Sequence, residues 1–292
     1  ETLFYALPYM SMQDLLMMEQ VCRTSREWSR EGISLWHKLH VEPPLSCKLT
    51  DDVLLQLSRR SRGLMTSLHL VDCLIITHEP VHQIVLTSPK LTKLFLPGSN
   101  IIIADGIVTI VKDHTEKWGA TMPGLKALKL HNINGLSEDH LQSLITIMET
   151  SAESHPILKP RYYHENDHSC MFKYPSGIDV QVCPKCRCVR MVYDCPREEC
   201  QLKQEWRACV FCTIRCAECG ICLPNEELIE TECREFLCLR WWFKSAKCSE
   251  CNRAILRRKS GIVHEAQGST LLCDQCRFRS LVLVDYYELD YD

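Results

Sequence analysis

The chain has 292 residues, of which 46% are apolar and 24% charged, and its formal net charge is −3. This length predicts about two domains, and the near-neutral charge excludes a general electrostatic attraction to nucleic acid or to anionic membranes. The apolar stretch Ile101–Val111 is interrupted by Asp105 and Gly106 and is too short to cross a bilayer. No secretory signal is visible. Because the chain begins at Glu1 rather than Met, the sequence leaves targeting and upstream residues open.

Residues 1–41 have the apolar spacing of a short helical segment. Apolar side chains recur at three- and four-residue steps over Leu15–Cys22, which predicts an amphipathic helix, and Ser11 is a suitable residue to begin it. A second helix is predicted over Thr24–Arg30, with Leu35 and Trp36 closing a small core. Because roughly forty residues bury too little surface to be stable alone, we expect this segment to bind a partner.

Residues 42–158 contain a repeated pattern of the form L-x-x-L-x-L. The pattern starts at Met65, Leu91 and Leu125, so the units are 26 and 34 residues apart, and the second is lengthened by an insertion around His114–Pro123. The helices predicted between and after these strands are Leu49–Ser58, Pro80–Leu86, Asp105–Val111 and Ser137–Met148. Strand–helix units at this period are typical of leucine-rich repeats, in which each unit buries its apolar face against the next. The alternative is three unrelated strand–helix units in an α/β layer.

Polar segments follow the repeats and end the chain. A linker is predicted over residues 159–182, where His164 and His168 are interpreted as solvated loop residues. The stretch Ser280–Asp292 begins apolar and ends acidic, which predicts a strand with an exposed tail. The sequence contains no hydrolase, kinase or dinucleotide-binding signature. The pairs Asp51/Asp52 and Asp113/His114 are interpreted as surface residues.

The cysteines are concentrated in one region. Of the 20 cysteines, 16 lie between Cys183 and Cys276, mostly as C-x-x-C pairs. This spacing delivers two thiolates to one metal ion and makes a poor local disulfide. We therefore expect metal-bound thiolates in a reducing compartment, the nucleus or the cytoplasm. Because four thiolates are available for each site, the two to four expected zinc ions are interpreted as structural, supplying folding energy to a loop-rich domain.

Spacing favours one economical grouping of the cysteines. The pairs Cys183–Cys186 and Cys209–Cys212, separated by 22 residues, form one predicted site, and the pairs Cys248–Cys251 and Cys273–Cys276, separated by 21 residues, form another. A third site would join the Cys216–Cys219 pair to the Cys233–Cys238 pair. The candidate metal ligands are thus Cys183, Cys186, Cys209, Cys212, Cys216, Cys219, Cys233, Cys238, Cys248, Cys251, Cys273 and Cys276. The remaining thiols, which suffice for a fourth site or for ordinary buried cysteines, are Cys188, Cys195, Cys200 and Cys222. An interleaved cross-brace would combine the same residues differently, so the sequence leaves the connectivity open.

The charge of the cysteine-rich region argues against nucleic-acid binding. Residues 183–279 contain 17 Lys+Arg and 13 Asp+Glu, a formal charge of +4. Each zinc ion held by four thiolates carries two negative charges, so three such sites reverse the sign. The cluster Arg257–Lys259 is interpreted as a solvated loop, and the aromatic run Trp241–Phe243 as part of a zinc-domain core.

The first segment resembles the F-box. The matching text is Leu7-Pro8, Asp14-Leu15-Leu16, Val21-Cys22-Arg23, Trp28 and Leu35-Trp36-His37-Lys38-Leu39. In that family these positions build a three-helix motif that packs against the Skp adaptor, which links it to a cullin. The resemblance implies that the adaptor is bound through Leu7, Pro8, Leu15, Leu16, Val21, Cys22, Trp28, Leu35 and Trp36.

The whole chain resembles a plant group of Skp-interacting F-box proteins. The group shares text similar to Cys183-Pro184-Lys185-Cys186, Arg190-Met191-Val192, Asp194-Cys195-Pro196-Arg197-Glu198 and Arg215-Cys216-Ala217-Glu218-Cys219-Gly220. A further cysteine shortly after Cys238 would be expected from the group, but this chain reads Arg240-Trp241-Trp242 there. The expected fold is an α+β multidomain chain, with an F-box at 1–41, a leucine-rich-repeat-like layer at 42–158, a linker at 159–182 and a zinc-binding domain at 183–292.

The resemblance implies a non-catalytic subunit of a Skp–cullin–F-box ubiquitin ligase, which binds a protein target of unknown identity through the repeats and zinc domain. One alternative is a self-sufficient, RING-like zinc ubiquitin ligase. Its eight-ligand cross-brace usually includes a central histidine, whereas His264 lies late in this region. Another alternative is a zinc nucleic-acid-binding module, whose phosphate contacts would make binding depend on salt.

Overall fold

The computed structural model describes residues 6–99, 101–149, 160–163, 177–202, 207–224, 226, 228–256 and 271–279. The chain divides into two compact units. The first comprises residues 1–158, 174–183 and 187–191, and the second comprises 159–173, 184–186 and 192–292. The predictions for His164, His168, Arg257–Lys259, His264 and Ser280–Asp292 lie outside the described residues. No described helix is long and apolar enough to cross a membrane.

The first unit begins with two helices, α1 (Met12–Val21) and α2 (Arg23–Glu31). Ser11 begins α1 by accepting a hydrogen bond from the backbone N of Asp14 at 3.1 Å, which satisfies a donor that the helix itself leaves unpaired. Cys22 ends the first helix and begins the second, because its Sγ accepts from the N of Ser25 at 3.4 Å. The predicted helix over Leu15–Cys22 therefore stops one residue earlier than expected.

A buried tryptophan closes this helical segment. Trp36, at the end of the short 3-10 helix Ile33–Trp36, is fully buried, and its Nε1 donates to the carbonyl of Ser29 at 2.7 Å. The hydroxyl of Ser29 donates to the carboxylate of Glu19 at 2.8 Å. These bonds hold both helices around one indole, so the polar atoms buried there are paired.

A five-stranded parallel sheet follows, in the order β1-β2-β3-β4-β5. Its strands are β1 (Lys38–Val41), β2 (Ser67–Leu70), β3 (Lys93–Phe95), β4 (Ala127–Lys129) and β5 (Gly177–Ile178). His40, His69, Phe95 and Lys129 occupy one row across the first four strands. Because every strand is parallel to its neighbour, each connection must cross back over the sheet.

The crossovers contain helices, which pack consecutively against one another. These are α3 (Asp51–Arg59), α4 (His78–Thr87), α5 (Ala104–Trp118) and α6 (Glu138–Glu149). All four predicted helices are present. The first half of the insertion around His114–Pro123 is helical, since α5 continues to Trp118. The leucine-like positions of the repeat pattern between Met65 and Leu130 are at most 3% exposed, so they form the core between sheet and helices.

Two parts of the sheet come from segments predicted to have other roles. Strand β1 lies within residues 1–41, and β5 lies within the predicted linker at 159–182. After β5, the buried carboxylate of Asp179 accepts from the N of Leu130 at 2.7 Å and lies 2.5 Å from Nδ1 of His131. These bonds fix the last strand to β4. The predicted domain boundaries stay predictions.

One residue interpreted as exposed is buried. His114 has no exposed surface, and its Nε2 lies 3.4 Å from the carbonyl of Ser88. Burial lowers the pKa of His114. Asp113, the neighbouring residue, lies 2.8 Å from Nε2 of His82 on α4. Both side chains therefore connect α5 to α4 or to the residue that directly follows it.

The cysteine-rich region is built from short elements. Its described elements are β6 (Gln181–Val182), β7 (Val189–Arg190), α7 (Glu198–Leu202), β8 (Ile229–Glu230), β9 (Phe236–Leu237) and α8 (Leu239–Lys244). Strands β6 and β7 pair with each other, as do β8 and β9, both antiparallel. In the second unit, Trp241 and Trp242 pack half-buried against a small cluster around Leu223 and Leu237, whereas Phe243 is 67% exposed.

Candidate metal centres

Fourteen of the described cysteines gather into four groups. In each group the Sγ atoms all lie within 4.8 Å of one another. The groups are site I (Cys183, Cys186, Cys209, Cys212), site II (Cys195, Cys200, Cys222), site III (Cys216, Cys219, Cys238) and site IV (Cys248, Cys251, Cys273, Cys276). Most of these side chains are buried or half-buried.

The spacing of the sulfur atoms fits a tetrahedral metal site. A Zn–S bond of about 2.3 Å places two ligand sulfurs about 3.8 Å apart, whereas a disulfide would hold them at about 2.05 Å. The observed distances are 3.8 Å for Cys186–Cys209, 3.7 Å for Cys195–Cys222, 3.9 Å for Cys219–Cys238 and 3.8 Å for Cys251–Cys273. None of the described cysteines forms a disulfide. The donor set is therefore suited to a thiophilic cation such as zinc.

The proton shared between two thiols of one group also indicates that a cation can bind there. In site III, a hydrogen bond from the Cys219 thiol lowers the pKa of Cys216 to about 5, and the same bond raises the pKa of Cys219. One thiolate is thus held by a neighbouring proton. Because like charges this close repel one another, Cys216 and Cys219 ionise together only when a positive ion takes the place of that proton.

Three of the C-x-x-C turns have the same backbone conformation. In each, the N of the first cysteine donates to the carbonyl five residues later, and the residue four positions later donates back to the first cysteine, all at 2.9 Å. The residues at that fourth position, Arg187, Gly220 and Asn252, have φ angles of 60°, 72° and 54°. The turn begins at Cys183, Cys216 and Cys248. This repeated turn directs both thiol groups of a pair to the same side.

The structure brings together most of the predicted ligands. Sites I and IV contain the eight cysteines that spacing grouped in the same way. Site III contains Cys216, Cys219 and Cys238 but not Cys233, whose Sγ lies 3.3 Å from the hydroxyl of Thr231. Cys222, which extends the Cys216–Cys219 pair in sequence, instead joins Cys195 and Cys200 in site II. Cys188 is exposed and belongs to none of the four groups.

The sites are interleaved along the chain. The two pairs of site I enclose Cys195 and Cys200 of site II, and Cys222 of site II lies between Cys219 and Cys238 of site III. Site IV stands after the others and packs on its own cluster with Ile255. The sequence left this alternative open. Within the described residues, sites II and III present three thiols each, fewer than the four expected for every site.

Two charged residues that directly precede cysteines of sites II and III are buried. Asp194, 2% exposed, accepts from the N of Arg161 at 2.5 Å and lies 3.3 Å from Nε of Arg207. Arg215 is 3% exposed and donates through Nη2 to the carbonyl of Tyr193 at 2.8 Å. Both residues directly precede cysteines, Cys195 and Cys216, but sequence spacing gives no signal that they are buried.

The nine residues predicted to bind an adaptor divide between the core and the surface of the helical segment. Leu7, Leu15 and Trp36 are buried, whereas Leu16, Trp28 and Leu35 are half-buried. Val21 is 76% exposed and Cys22 is also exposed. Pro8 lies in the short helical turn Leu7–Tyr9.

Two further apolar side chains of this segment were not predicted as binding residues. Tyr9 is 90% exposed and Met17 is 58% exposed. Met17 lies one helical turn before Val21 on α1, and residues four apart lie on the same face of a helix. The segment therefore presents a small apolar surface. Leu7, Leu15 and Trp36 of the predicted adaptor-binding residues instead form its core.

The comparisons with known proteins agree with the resemblance in the sequence. Residues 179–250 match the family model of the At3g27290 F-box protein C-terminal domain. F-box protein SKIP28 of Arabidopsis thaliana is 33% identical over the whole of this chain and 94% of its own length. F-box protein SKIP14 of the same plant is 33% identical over 80% of this chain, but the chain spans only 52% of SKIP14. F-box protein At3g27290 is 29% identical over 76% of this chain and 59% of its own length. The chain therefore belongs to the family of plant F-box proteins that includes SKIP28.

Proposed function

We propose that the chain is a substrate-recognition subunit of a Skp–cullin–F-box ubiquitin ligase. The observation that carries this proposal is the exposed apolar surface on α1, formed by Met17 and Val21, in a protein of the F-box family. Exposed apolar side chains on a segment this small indicate a protein partner. The partner is the Skp adaptor, through which the chain reaches a cullin.

The strand–helix units and the cysteine sites serve target recognition in this proposal. The units of the parallel sheet are leucine-rich repeats, supported by the burial of the pattern residues from Met65 to Leu130. The four cysteine sites bind structural zinc, supported by their sulfur spacing. Together these parts hold a target protein near the ubiquitin-loaded enzyme, which acts through effective concentration rather than bond chemistry on this chain. The chain is non-catalytic and works in the nucleus or cytoplasm.

Adaptor binding is tested by co-purification. Full-length chain carrying an affinity tag is expected to retain the Skp adaptor through washing, and Met17→Asp with Val21→Asp is expected to release it. Retention of the adaptor by the double variant would place the contact elsewhere. Failure of the wild-type chain to bind any adaptor would remove the proposed function.

One observation favours a second candidate, a ubiquitin ligase of the RING-like class. Sites I and II alternate along the chain, since the Cys195–Cys200 pair lies between the Cys183–Cys186 and Cys209–Cys212 pairs, and this order is that of a cross-brace. The discriminating experiment incubates the purified full-length chain with ubiquitin, activating enzyme and a panel of conjugating enzymes. Autoubiquitination without adaptor and cullin would establish this candidate, and its absence supports the recognition subunit.

A further inference from the structure

The exposed apolar side chains of the sheet and its crossover helices lie at one edge of the sheet. Among the described residues from β1 to α6, the large apolar side chains that are exposed, proline apart, are Val53, Leu74, Ile75, Ile101 and Ile103. All five follow the carboxyl ends of strands, since Val53 lies in the first turn of α3 and the others lie in the loops before α4 and α5. Because parallel strands end at the same edge, the five side chains lie at that edge, and we call them the aliphatic edge.

Hydrogen bonds hold the loops of the aliphatic edge side by side. The N of Asp72, in the loop after β2, donates to the carbonyl of Pro97, in the loop after β3, at 2.9 Å. The N and the hydroxyl of Thr77 donate to the carboxylate of Asp51 at 3.0 and 2.6 Å, which joins the start of α4 to the start of α3. The exposed apolar side chains therefore stand on neighbouring, mutually fixed segments.

The repeat places one exposed isoleucine at the same position in two units. Ile75–Ile76 and Ile101–Ile102 are 26 residues apart in sequence, which is the spacing of those units. The second residue of each pair is buried, with Ile76 0% and Ile102 1% exposed, whereas Ile75 is 46% and Ile101 45% exposed. The core accounts for the buried isoleucine of each unit but not for its exposed neighbour. A patch of exposed aliphatic side chains rimmed by polar residues is typical of an interaction surface.

The aliphatic edge has acidic surroundings. The segments that lead from the strands into the helices, residues 42–53, 71–80, 96–106 and 130–140, contain eight acidic residues and one lysine. The segments at the opposite edge, residues 59–66, 88–92 and 118–126, contain five Lys+Arg and no acidic residue.

The second residue of every crossover helix is an exposed acid. These residues are Asp52, Glu79, Asp105 and Asp139. Acids in a first helical turn stabilise the helix, so they do not by themselves indicate a partner. They do determine its charge, because a negative rim repels anionic membranes and nucleic acids and attracts positive groups.

We propose that the aliphatic edge binds a protein segment in which aliphatic residues are flanked by lysines or arginines. The inference rests on the proposed function, because it names the chemistry of the target that the repeats recognise. Two copies of the chain that met through their aliphatic edges would bring like charges together. The opposite edge of a second copy is basic, but its described residues expose no large apolar side chain other than proline. A separate basic and aliphatic segment therefore fits this surface better than a second copy does.

Selection from a phage-displayed library of random dodecapeptides on the immobilised full-length chain tests this chemistry. Relative to the unselected library, we expect enrichment of Leu, Ile and Val together with Lys and Arg, and depletion of Asp and Glu. The variant Ile75→Gln with Ile101→Gln is expected to lose this enrichment. Ala120→Gln is the matched control, because Ala120 is an exposed residue at the opposite edge, and it is expected to select the same peptides as the wild type.

The affinity of the most enriched peptide, labelled with a fluorophore, separates the apolar from the charged contribution. Fluorescence anisotropy is expected to show binding at least about tenfold weaker for Ile75→Gln with Ile101→Gln, as when central apolar contacts of an interface are removed. Asp52→Asn with Glu79→Gln is expected to weaken binding at low salt and to reduce its salt dependence, because exposed charges are screened by salt.

Several results would overturn the inference. These are the selection of no peptides, the selection of peptides without Lys or Arg, and equal selection by the Ile75→Gln, Ile101→Gln variant. Light scattering that shows self-association of the wild type, lost in that variant, would assign the aliphatic edge to contacts between copies instead. If that variant does not fold, an unchanged salt dependence in Asp52→Asn with Glu79→Gln would contradict the inference. Skp adaptor binding is measured on the same proteins, so a wild-type chain that selects the expected peptides but binds no adaptor would remove the proposed function alone.

Discussion

The guanidinium of Arg60 lies 4.4 Å from the centroid of the Trp36 ring and also forms an ion pair with Glu19. Arg60 directly follows α3, whereas Trp36 and Glu19 belong to the helical segment. A single side chain thus joins the proposed F-box to the first crossover helix of the sheet. The two parts are expected to unfold together, because neither completes its polar contacts alone.

Arg60→Ala is predicted to destabilise the first unit by about 2 kcal/mol. The change leaves the largely buried carboxylate of Glu19 with the hydroxyl of Ser29 but without its cation, and an unsatisfied buried polar group costs about 1–3 kcal/mol. Urea unfolding measures the free energy, and Arg59→Ala, at an exposed neighbouring position, is the control. Equal free energies for the two variants would show that the Arg60 contacts contribute nothing.

The surface of α1 is predicted to decide adaptor affinity. Met17→Asp or Val21→Asp places a charge on an exposed apolar position, so each is expected to weaken adaptor binding at least about tenfold without changing the stability of the chain alone. Titration calorimetry gives the affinity, and Gln56→Asp, an exposed polar position on α3, serves as control. A substitution at Leu15 is uninformative because this side chain is only 4% exposed and its loss damages the core. Binding that survives at both positions would exclude this face.

Gly220 is predicted to be the residue of the site III turn least tolerant of substitution. Its φ angle of 72° lies in the left-handed region, which costs a residue with a side chain about 1–2 kcal/mol. Gly220→Ala is therefore expected to weaken zinc binding at that turn, whereas Asn252→Gly, at the equivalent position of site IV, is expected to be neutral or stabilising. Thermal unfolding with saturating zinc provides the comparison. The prediction fails if the two variants shift the midpoint in the same direction.

Interleaving predicts unequal losses of metal. Cys222 lies between two ligands of site III in the chain, so Cys222→Ser is expected to disturb sites II and III together and to remove more than one zinc ion per chain. Cys276→Ser is expected to remove one, because site IV stands apart in the sequence and packs on a separate apolar cluster. Elemental analysis of the purified variants counts the ions. Loss of a single ion from both variants would show that the sites fold independently.

Acid is predicted to destabilise the sheet through His69. Burial, together with the positive charges of His40 and Lys129, lowers the pKa of His69 from 6.5 to about 3. Between pH 6.5 and about pH 3, His69 is protonated in the unfolded chain but neutral in the folded protein. The free energy of unfolding therefore keeps its full value above pH 6.5 and falls by about 1.4 kcal/mol for each pH unit below it, until about pH 3. Urea unfolding at pH 7, 6 and 5 is expected to show a shallower decline for His69→Gln than for wild type. Metal release affects both proteins alike, so parallel declines would contradict the assignment.

The sequence predicts the helices of the repeat region well because apolar spacing reports burial directly. Leu68 and Leu94 alternate with polar residues in short strands, and the crossover helices follow at regular distance. The continuation of α5 from His114 to Trp118 is not predicted, because the polar residues there lack that spacing. The burial of His114 itself depends on the neighbouring helix, which local sequence does not encode.

The candidate metal sites show a different limit. A C-x-x-C pair indicates two candidate ligands, but the pairs are alike in sequence. Spacing alone therefore does not predict which pairs combine in sites I, II and III. Cys222 is the clearest case, since its nearest cysteine in sequence, Cys219, belongs to another site. Likewise, no sequence pattern distinguishes Val21, which is exposed, from Leu15, which is core, because both follow the same helical period.

The most direct measurement is light scattering during size-exclusion chromatography of the full-length chain co-expressed with the Skp adaptor. The proposed function predicts one peak whose mass equals that of one 33.8 kDa chain plus one adaptor, and which Met17→Asp with Val21→Asp splits into its components. A wild-type chain that elutes separately from the adaptor at its own mass would contradict the account.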